Sequence, residues 1–292
     1  MGNEHISLSI LPERGGKIVS LFDRRARREW LVAPERELGG PADASIPYDE
    51  GDLCGWDEMM PTIAACRYPQ SRRDLPDHGE LWQKSWRVVA QSEDSLVTSV
   101  TGDLGYQLER EIHLGTRGVR VDYLVGAGCD GLEFLWAAHP FFALRSGTRM
   151  KFEGFGDFVG DQGDEVAPHG PWPTDEPTIA DILAPGLDRK VFAPALAQRV
   201  SASLHDPSGA WVRCEWESSD APWLGLWLDR ASLSSHQTAV IEPTGASSDS
   251  LEVAARLGQS WKLAPGESRR WSIAIECGVR EGAKSEEEKG KL

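Results

Sequence analysis

Residues 106–125 read YQLEREIHLGTRGVRVDYLV. Tyr106, Leu108, Ile112 and Leu114 alternate along the first half, and Val119, Val121, Tyr123 and Val125 along the second. Period-two alternation marks a half-buried strand, because successive side chains point to opposite faces. The two halves are separated by Gly115-Thr116-Arg117-Gly118, a short glycine-bounded turn of the kind that closes a β-hairpin. This stretch sets the reading of the whole chain as antiparallel β.

The same alternation extends outward. Ile6, Leu8 and Ile10 share a face, as do Val212, Cys214 and Trp216, and Trp271, Ile273, Ile275 and Cys277. Residues 85–91, 95–101, 133–139, 148–153, 198–204, 223–228 and 238–242 also read as strands. Many short strands joined by turns predict an all-β sandwich. One helix is expected from Asp249-Ser250-Leu251-Glu252 to about Leu257, with Gly258 as its stop. Residues 160–187, with Pro168, Pro171, Pro173, Pro177 and Pro185, read as one long loop, the kind that borders a site or lacks order. No composition shift divides the chain, so residues 1–280 are expected as one domain and the charged residues 281–292 as a disordered tail.

The 292 residues carry 31 Lys and Arg against 46 Asp and Glu, a net charge of -15. Such a surface repels phosphate backbones and anionic lipid, so neither nucleic acid nor a membrane is an expected partner. A neutral small molecule fits better. No run approaches 18 apolar residues, and the N-terminus lacks a basic region followed by an apolar core. Five cysteines (Cys54, Cys66, Cys129, Cys214 and Cys277) form no CxxC pair. Free thiols and a cytoplasmic location are expected. There is no HExxH or similar ligand spacing, so a metal site is not expected.

Three residues stand out by context. His78 sits between Asp77 and Gly79 on a turn. His139 ends the apolar run Phe134-Leu135-Trp136-Ala137-Ala138, where burial would tune its pKa. Glu242 ends Thr238-Ala239-Val240-Ile241 before Pro243, where a carboxylate is costly unless paired or functional. Read alone, each is equally compatible with a structural role.

These motifs in this order resemble the galactose mutarotase-like superfamily, and within it the aldose 1-epimerase family. The resemblance runs from Leu11-Pro12-Glu13-Arg14-Gly15-Gly16-Lys17-Ile18 through Gly55-Trp56-Asp57-Glu58-Met59-Met60-Pro61 to Pro76-Asp77-His78-Gly79-Glu80-Leu81-Trp82 and Trp86. It continues with His139-Pro140-Phe141-Phe142-Ala143-Leu144, Ile241-Glu242-Pro243, and Leu263-Ala264-Pro265-Gly266-Glu267 followed by Trp271. It covers about residues 6–278. It implies a β-supersandwich with a sugar cleft on one sheet. Glu242 would be the general base, His139 the general acid, and His78 the partner that binds and polarises the sugar. Such an enzyme interconverts the α and β anomers of a free aldose without cofactor or metal, as a monomer or homodimer.

The family's phosphosugar epimerases carry an arginine where this chain has Trp82, although Arg67, Arg72 and Arg73 lie just upstream. The Asn-Arg pair typical of aldose epimerases before the first histidine is absent. Asp57, Asp161 and Asp229 are candidates for the substrate-binding aspartate. Twelve tryptophans supply candidate stacking platforms for a sugar face. Trp56 and Trp172 are the preferred ones, with Trp82, Trp136, Trp223 and Trp227 also near the motifs. Asp57 and Glu58 could hold sugar hydroxyls. A hexose-6-phosphate 1-epimerase and a sugar-binding protein without catalysis remain as alternatives.

Overall fold

Strands Gln107–Leu114 and Gly118–Gly126 pair antiparallel as the alternation requires, and Gly115 N–H donates to the Gly118 carbonyl at 2.8 Å to close the turn. In the computed structural model, which describes residues 1–43, 45–160 and 176–280, this hairpin lies inside an eight-stranded antiparallel sheet. Its order is Arg149–Glu153, Arg199–His205, Ala210–Glu217, Ser268–Val279, Gly118–Gly126, Gln107–Leu114, Ser95–Thr101 and Arg87–Gln91. A second antiparallel sheet runs Ile6–Leu11, Lys17–Asp23, Trp56–Met59, Ala137–Ala143, Gln237–Thr244, Trp223–Arg230 and Asp188–Pro194, with Arg28–Glu29 paired to Lys17–Asp23. The inward faces of both sheets share one apolar core, in which the Tyr123 ring packs 4.8 Å from Trp136 and 5.2 Å from Trp271.

The interior also holds a charged pair. Leu108, Arg110 and Ile112 alternate inward, so Arg110 lies fully buried at a position an apolar residue would normally fill. Its guanidinium meets Glu58, equally buried on the other sheet, at 3.1 Å. Tyr123 Oη donates to the same Glu58 oxygen at 2.8 Å, and Trp136 Nε1 to the other at 2.9 Å. A second guanidinium nitrogen donates to the Gly16 carbonyl, and the group lies over the Trp86 ring at 4.8 Å. Gly16 has φ of 64°, and a Cβ there would stand 2.9 Å from both Arg110 and Trp86. The glycine turn near the N-terminus is therefore what lets the guanidinium dock. Burial pushes the Glu58 carboxyl upward, against the opposing pull of Arg110 and its two hydrogen-bond donors.

Three sequence expectations are corrected. Residues 133–139 are not one strand. Leu132–Phe134 pairs with Trp261–Leu263 in a separate two-stranded sheet, and Ala137–Ala143 joins the second large sheet. Between them Leu135 N–H leaves the ladder for the Pro61 carbonyl at 2.8 Å. Residues 160–187 are not loop throughout. Ile179–Ile182 forms a helical turn, because the Asp181 carboxylate accepts from both the N–H and the hydroxyl of Thr178, and Ile179 is buried. The helix Leu251–Leu257 begins one residue later than expected. Ser250 is its cap, accepting from Val253 N–H, and Asp249 is left free for another task. Gly258 ends it as read. The expected tail 281–292 lies outside the described residues.

Glu58→Ala leaves the Arg110 charge buried without its partner. Loss of one member of a buried pair costs about 3–5 kcal/mol, so a correspondingly lower urea midpoint is expected for a folded but weakened protein. An unchanged midpoint would show that the pair does not hold the sheets.

Candidate active site

Strand alternation divides Trp56–Met59 between two environments. Glu58, opposite Ala138, faces the interior, whereas Asp57, opposite His139, faces outward. The outward face of this sheet carries a cleft of about 240 Å³. Its walls include His78, His139, Glu242, Lys190, Tyr48 and Trp227. Glu242 lies opposite Gly225 in the ladder, and Lys190 opposite Trp227. A Cβ on Gly225 would sit 3.2 Å from Glu242 Oε2 and 3.5 Å from the Lys190 side chain, so this glycine clears space for both.

His78 reaches the cleft from a left-handed backbone, φ 57°, at a cost of about 1–2 kcal/mol for a residue with a Cβ. Its N–H donates to the Ile63 carbonyl at 2.5 Å. Its ring stacks on Tyr48 at 3.9 Å, and its Nδ1 contacts Asp77 at 2.7 Å. Tyr48 is fixed in turn. Its hydroxyl donates to Asp57 at 3.1 Å, and Asp57 is paired with Lys17 at 2.5 Å. Burial, then the Asp57 charge, raises the Tyr48 pKa well above that of a free phenol, so it remains a neutral donor. The His78 and His139 rings meet edge to face at 5.5 Å.

Glu242 is completely buried. Its Oε2 accepts from Lys190 at 2.6 Å, and Lys190 also meets Asp249 at 3.1 Å. Its Oε1 lies 3.6 Å from His139 Nε2 and, among the described residues, has no hydrogen-bond partner, and neither does His139 Nδ1. Burial raises the Glu242 pKa to about 7; Lys190 opposes the rise and Asp249 adds to it. Burial also pulls Lys190 down, but Asp249 and Glu242 outweigh it and hold the ammonium above the ordinary lysine value. His139 is lowered well below the usual histidine range, first by burial and then by the charges of His78, Lys190 and Lys17. At neutral pH the cleft thus presents a carboxylate poised near its pKa beside a neutral imidazole.

The structure brings His78, His139 and Glu242 together and scatters the expected sugar contacts. Glu58 and Trp56 are removed from the set: both are buried, and neither lines the cleft. Asp57 acts from behind Tyr48 rather than at the cleft surface. Trp82 packs edge-on to Tyr48 at 5.1 Å outside the cleft lining. Trp136 belongs to the core, and among the described residues Trp227 is the tryptophan that reaches the cleft, its Nε1 held by Asp188 at 3.2 Å. Trp172 and Asp161 lie outside the described residues. Asp229 is committed to a turn, accepting the N–H groups of Ser232 and Ser234 at 2.7 Å each.

The arginines considered for an anion are spent elsewhere: Arg67 on Asp74, Arg72 on Glu252 and Arg73 on Asp103. Among the described residues no cluster of histidine, cysteine and carboxylate could hold a metal ion. Sequence reading missed Tyr48, Lys190 and Asp249. Lys190 lies at an alternate position of Asp188–Pro194, a strand that the proline-rich stretch before it concealed, and Asp249 was absorbed into the expected helix cap.

No protein-family model matches the sequence, and no curated protein matches it. Solved structures do resemble the fold. The galactose mutarotase related enzyme from Lactobacillus acidophilus superposes with a TM-score of 0.75 at 14% identity, covering 97% of this chain and 98% of that one. A putative aldose 1-epimerase from Escherichia coli K12 gives 0.72 at 17% identity, covering 96% and 98%. A galactose mutarotase-like protein from Lactobacillus casei ATCC 334 gives 0.70 at 16%, covering 95% and 99%. The chain therefore has the galactose mutarotase-like β-sandwich fold over nearly its whole length.

The ionic neighbours of Glu242 make opposite predictions. Lys190→Met removes a charge that lowers its pKa, so the carboxyl should titrate above pH 7. Asp249→Asn removes a charge that raises it, so the carboxyl should titrate below wild type. Carbon-13 NMR of the glutamate carboxyls reads both directions, and shifts of the same sign would contradict this charge arrangement. In the wild type, a folded pKa raised from 4.5 to about 7 means that this group's contribution to stability is fully retained below pH 4.5 and falls as pH rises to about 7.

Proposed function

We propose that this cleft binds the reducing end of an unphosphorylated aldose and interconverts its anomers, as an aldose 1-epimerase-like isomerase. The observation that carries this reading is the unpartnered Oε1 of buried Glu242, 3.6 Å from His139 and in the same cleft as His78. A sugar hydroxyl would satisfy that oxygen, and a carboxylate near its pKa at working pH is suited to take the hydroxyl's proton.

The reaction needs one proton removed and one supplied. Glu242 Oε1 takes the proton of the anomeric hydroxyl. The O–H electrons form the C1 carbonyl, the bond from C1 to the ring oxygen breaks, and the ring oxygen receives a proton. Rotation about the C1–C2 bond and the reverse transfers close the other anomer, so the enzyme ends as it began.

The two histidines are assigned by their surroundings. The burial that keeps His139 neutral suits it to hydrogen bonding the oxygen where charge develops. His78 is held by the Asp77 carboxylate on Nδ1, which orients the ring and leaves Nε2 to give and recover the ring-oxygen proton. This exchanges the histidine roles implied by the family resemblance. Trp227 offers an aromatic surface for the apolar side of a sugar ring.

A neutral ligand is supported by charge. Asp49, Asp77, Asp188, Glu242 and Asp249 line the cleft, and its lysine, Lys190, is already shared between two of them. A phosphate would meet net negative charge. The second reading, a sugar-binding protein without catalysis, is favoured by one contact: the Lys190 ammonium on Glu242 Oε2 lowers the basicity of the carboxylate.

Glu242→Gln should lower anomer exchange by at least about 10²-fold while sugar-induced NMR shifts persist. The rates are read by polarimetry or saturation-transfer NMR on free aldoses, with glucose 6-phosphate as the charged control. A wild-type rate in the variant would remove Glu242 from the chemistry. Sugar binding by the wild type with no exchange above the spontaneous rate would establish the second reading.

A further inference from the structure

A larger cavity of about 460 Å³ adjoins the cleft. The two have Asp49, Leu53 and Leu233 in common, so they adjoin each other across these residues, two of them apolar. The cleft's own volume, about 240 Å³, lies below the range of about 300–1,000 Å³ common for small-molecule sites. The larger of the two spaces lies beyond the reacting centre.

The lining of this second cavity is polar and mixed in sign. Arg36 meets Asp52 at 3.2 Å, and Ser235 donates to Glu35 at 2.6 Å and contacts His236 Nδ1 at 2.9 Å. Glu50 and Asp49 complete its acidic side. Such pairs place carboxylate acceptors beside guanidinium and imidazole donors. A hydroxyl, which both donates and accepts, can bridge them, whereas an anion would face the carboxylates and an apolar group would strand them.

We infer that this cavity is a second glycosyl subsite, and that the substrate is a reducing oligosaccharide whose terminal aldose reacts in the cleft while the next sugar unit occupies the cavity. The inference rests on the reading of the adjoining cleft as an aldose site. Leu53 and Leu233 underlie the glycosidic linkage, and Leu233, 56% exposed, presents an apolar surface there.

The test compares maltose, lactose and cellobiose with glucose, since the reacting ring is glucose in all four. Two or three good hydrogen bonds in the subsite should raise kcat/KM for at least one disaccharide by about tenfold over glucose. Ser235→Trp, at an exposed position on the cavity wall, should return that ratio to about one, and Arg36→Ala should lower it. Glucose turned over as well as every disaccharide would overturn the subsite while leaving the chemistry intact. If no sugar is turned over, the catalytic reading falls, and NMR titration of the same four sugars decides the subsite alone. Tighter disaccharide binding that Ser235→Trp abolishes would uphold it, and equal or absent binding would overturn it.

Discussion

Glu58 and Arg110 meet across the interior at 3.1 Å, each wholly removed from water. A buried ion pair is seldom more stabilising than well-packed apolar residues, because desolvation offsets much of the attraction. What it imposes is geometry. Glu58 accepts three hydrogen bonds, one of them from the Arg110 cation; Arg110 and Tyr123 reach it from the facing sheet and Trp136 from the bend before Ala137–Ala143. A one-residue slip of Trp56–Met59 would turn Glu58 to the outside, leave Arg110 unpaired, and carry Asp57 into the core. The pair therefore fixes which face of this strand meets the site, and with it the alignment of Asp57 beside His139.

From that alignment a chain of contacts runs forward. Lys17 holds Asp57, Asp57 holds the Tyr48 hydroxyl, and the Tyr48 ring supports His78 from one face. Each link is buried or nearly so, and each is a charge-assisted hydrogen bond or a stacked ring. The left-handed backbone at His78 is sustained by this support together with its bond to Ile63. Such prior ordering matters for proton transfer, where a loosely held donor loses rate through geometry rather than through its intrinsic acidity.

Much of this was legible in the sequence, and the remainder was hidden for identifiable reasons. Period-two alternation exposed the hairpin and most strands, since a half-buried sheet writes its faces directly into residue order. It passed over Arg110, because a charge at an inward register looks like an interruption until its partner is known, and that partner lies 52 residues away. For the same reason Glu58 resembled a polar site residue beside Asp57, although neighbouring residues on a strand face opposite ways. His78, His139 and Glu242 were found through motif order. Lys190 and Asp249 carried no local signal, because their significance comes from strands brought together only by tertiary pairing.

The ionic triad of Lys190, Glu242 and Asp249 bears on how a buried carboxylate can serve as a base at all. Burial alone would drive Glu242 upward until it stayed protonated at neutral pH, and a single close lysine without a counter-charge would pull it down toward an inert salt bridge. Asp249 divides the ammonium's attention, and the two carboxylates together keep Lys190 charged despite its burial. The carboxyl settles near 7, with one oxygen committed to lysine and the other turned to the histidines. The same balance constrains the ligand. Adding an anion to the cleft would raise Glu242 further and weaken it as a base, whereas a neutral polyol leaves the balance intact. Substrate charge and basicity are therefore not independent features of this site; the three side chains set both.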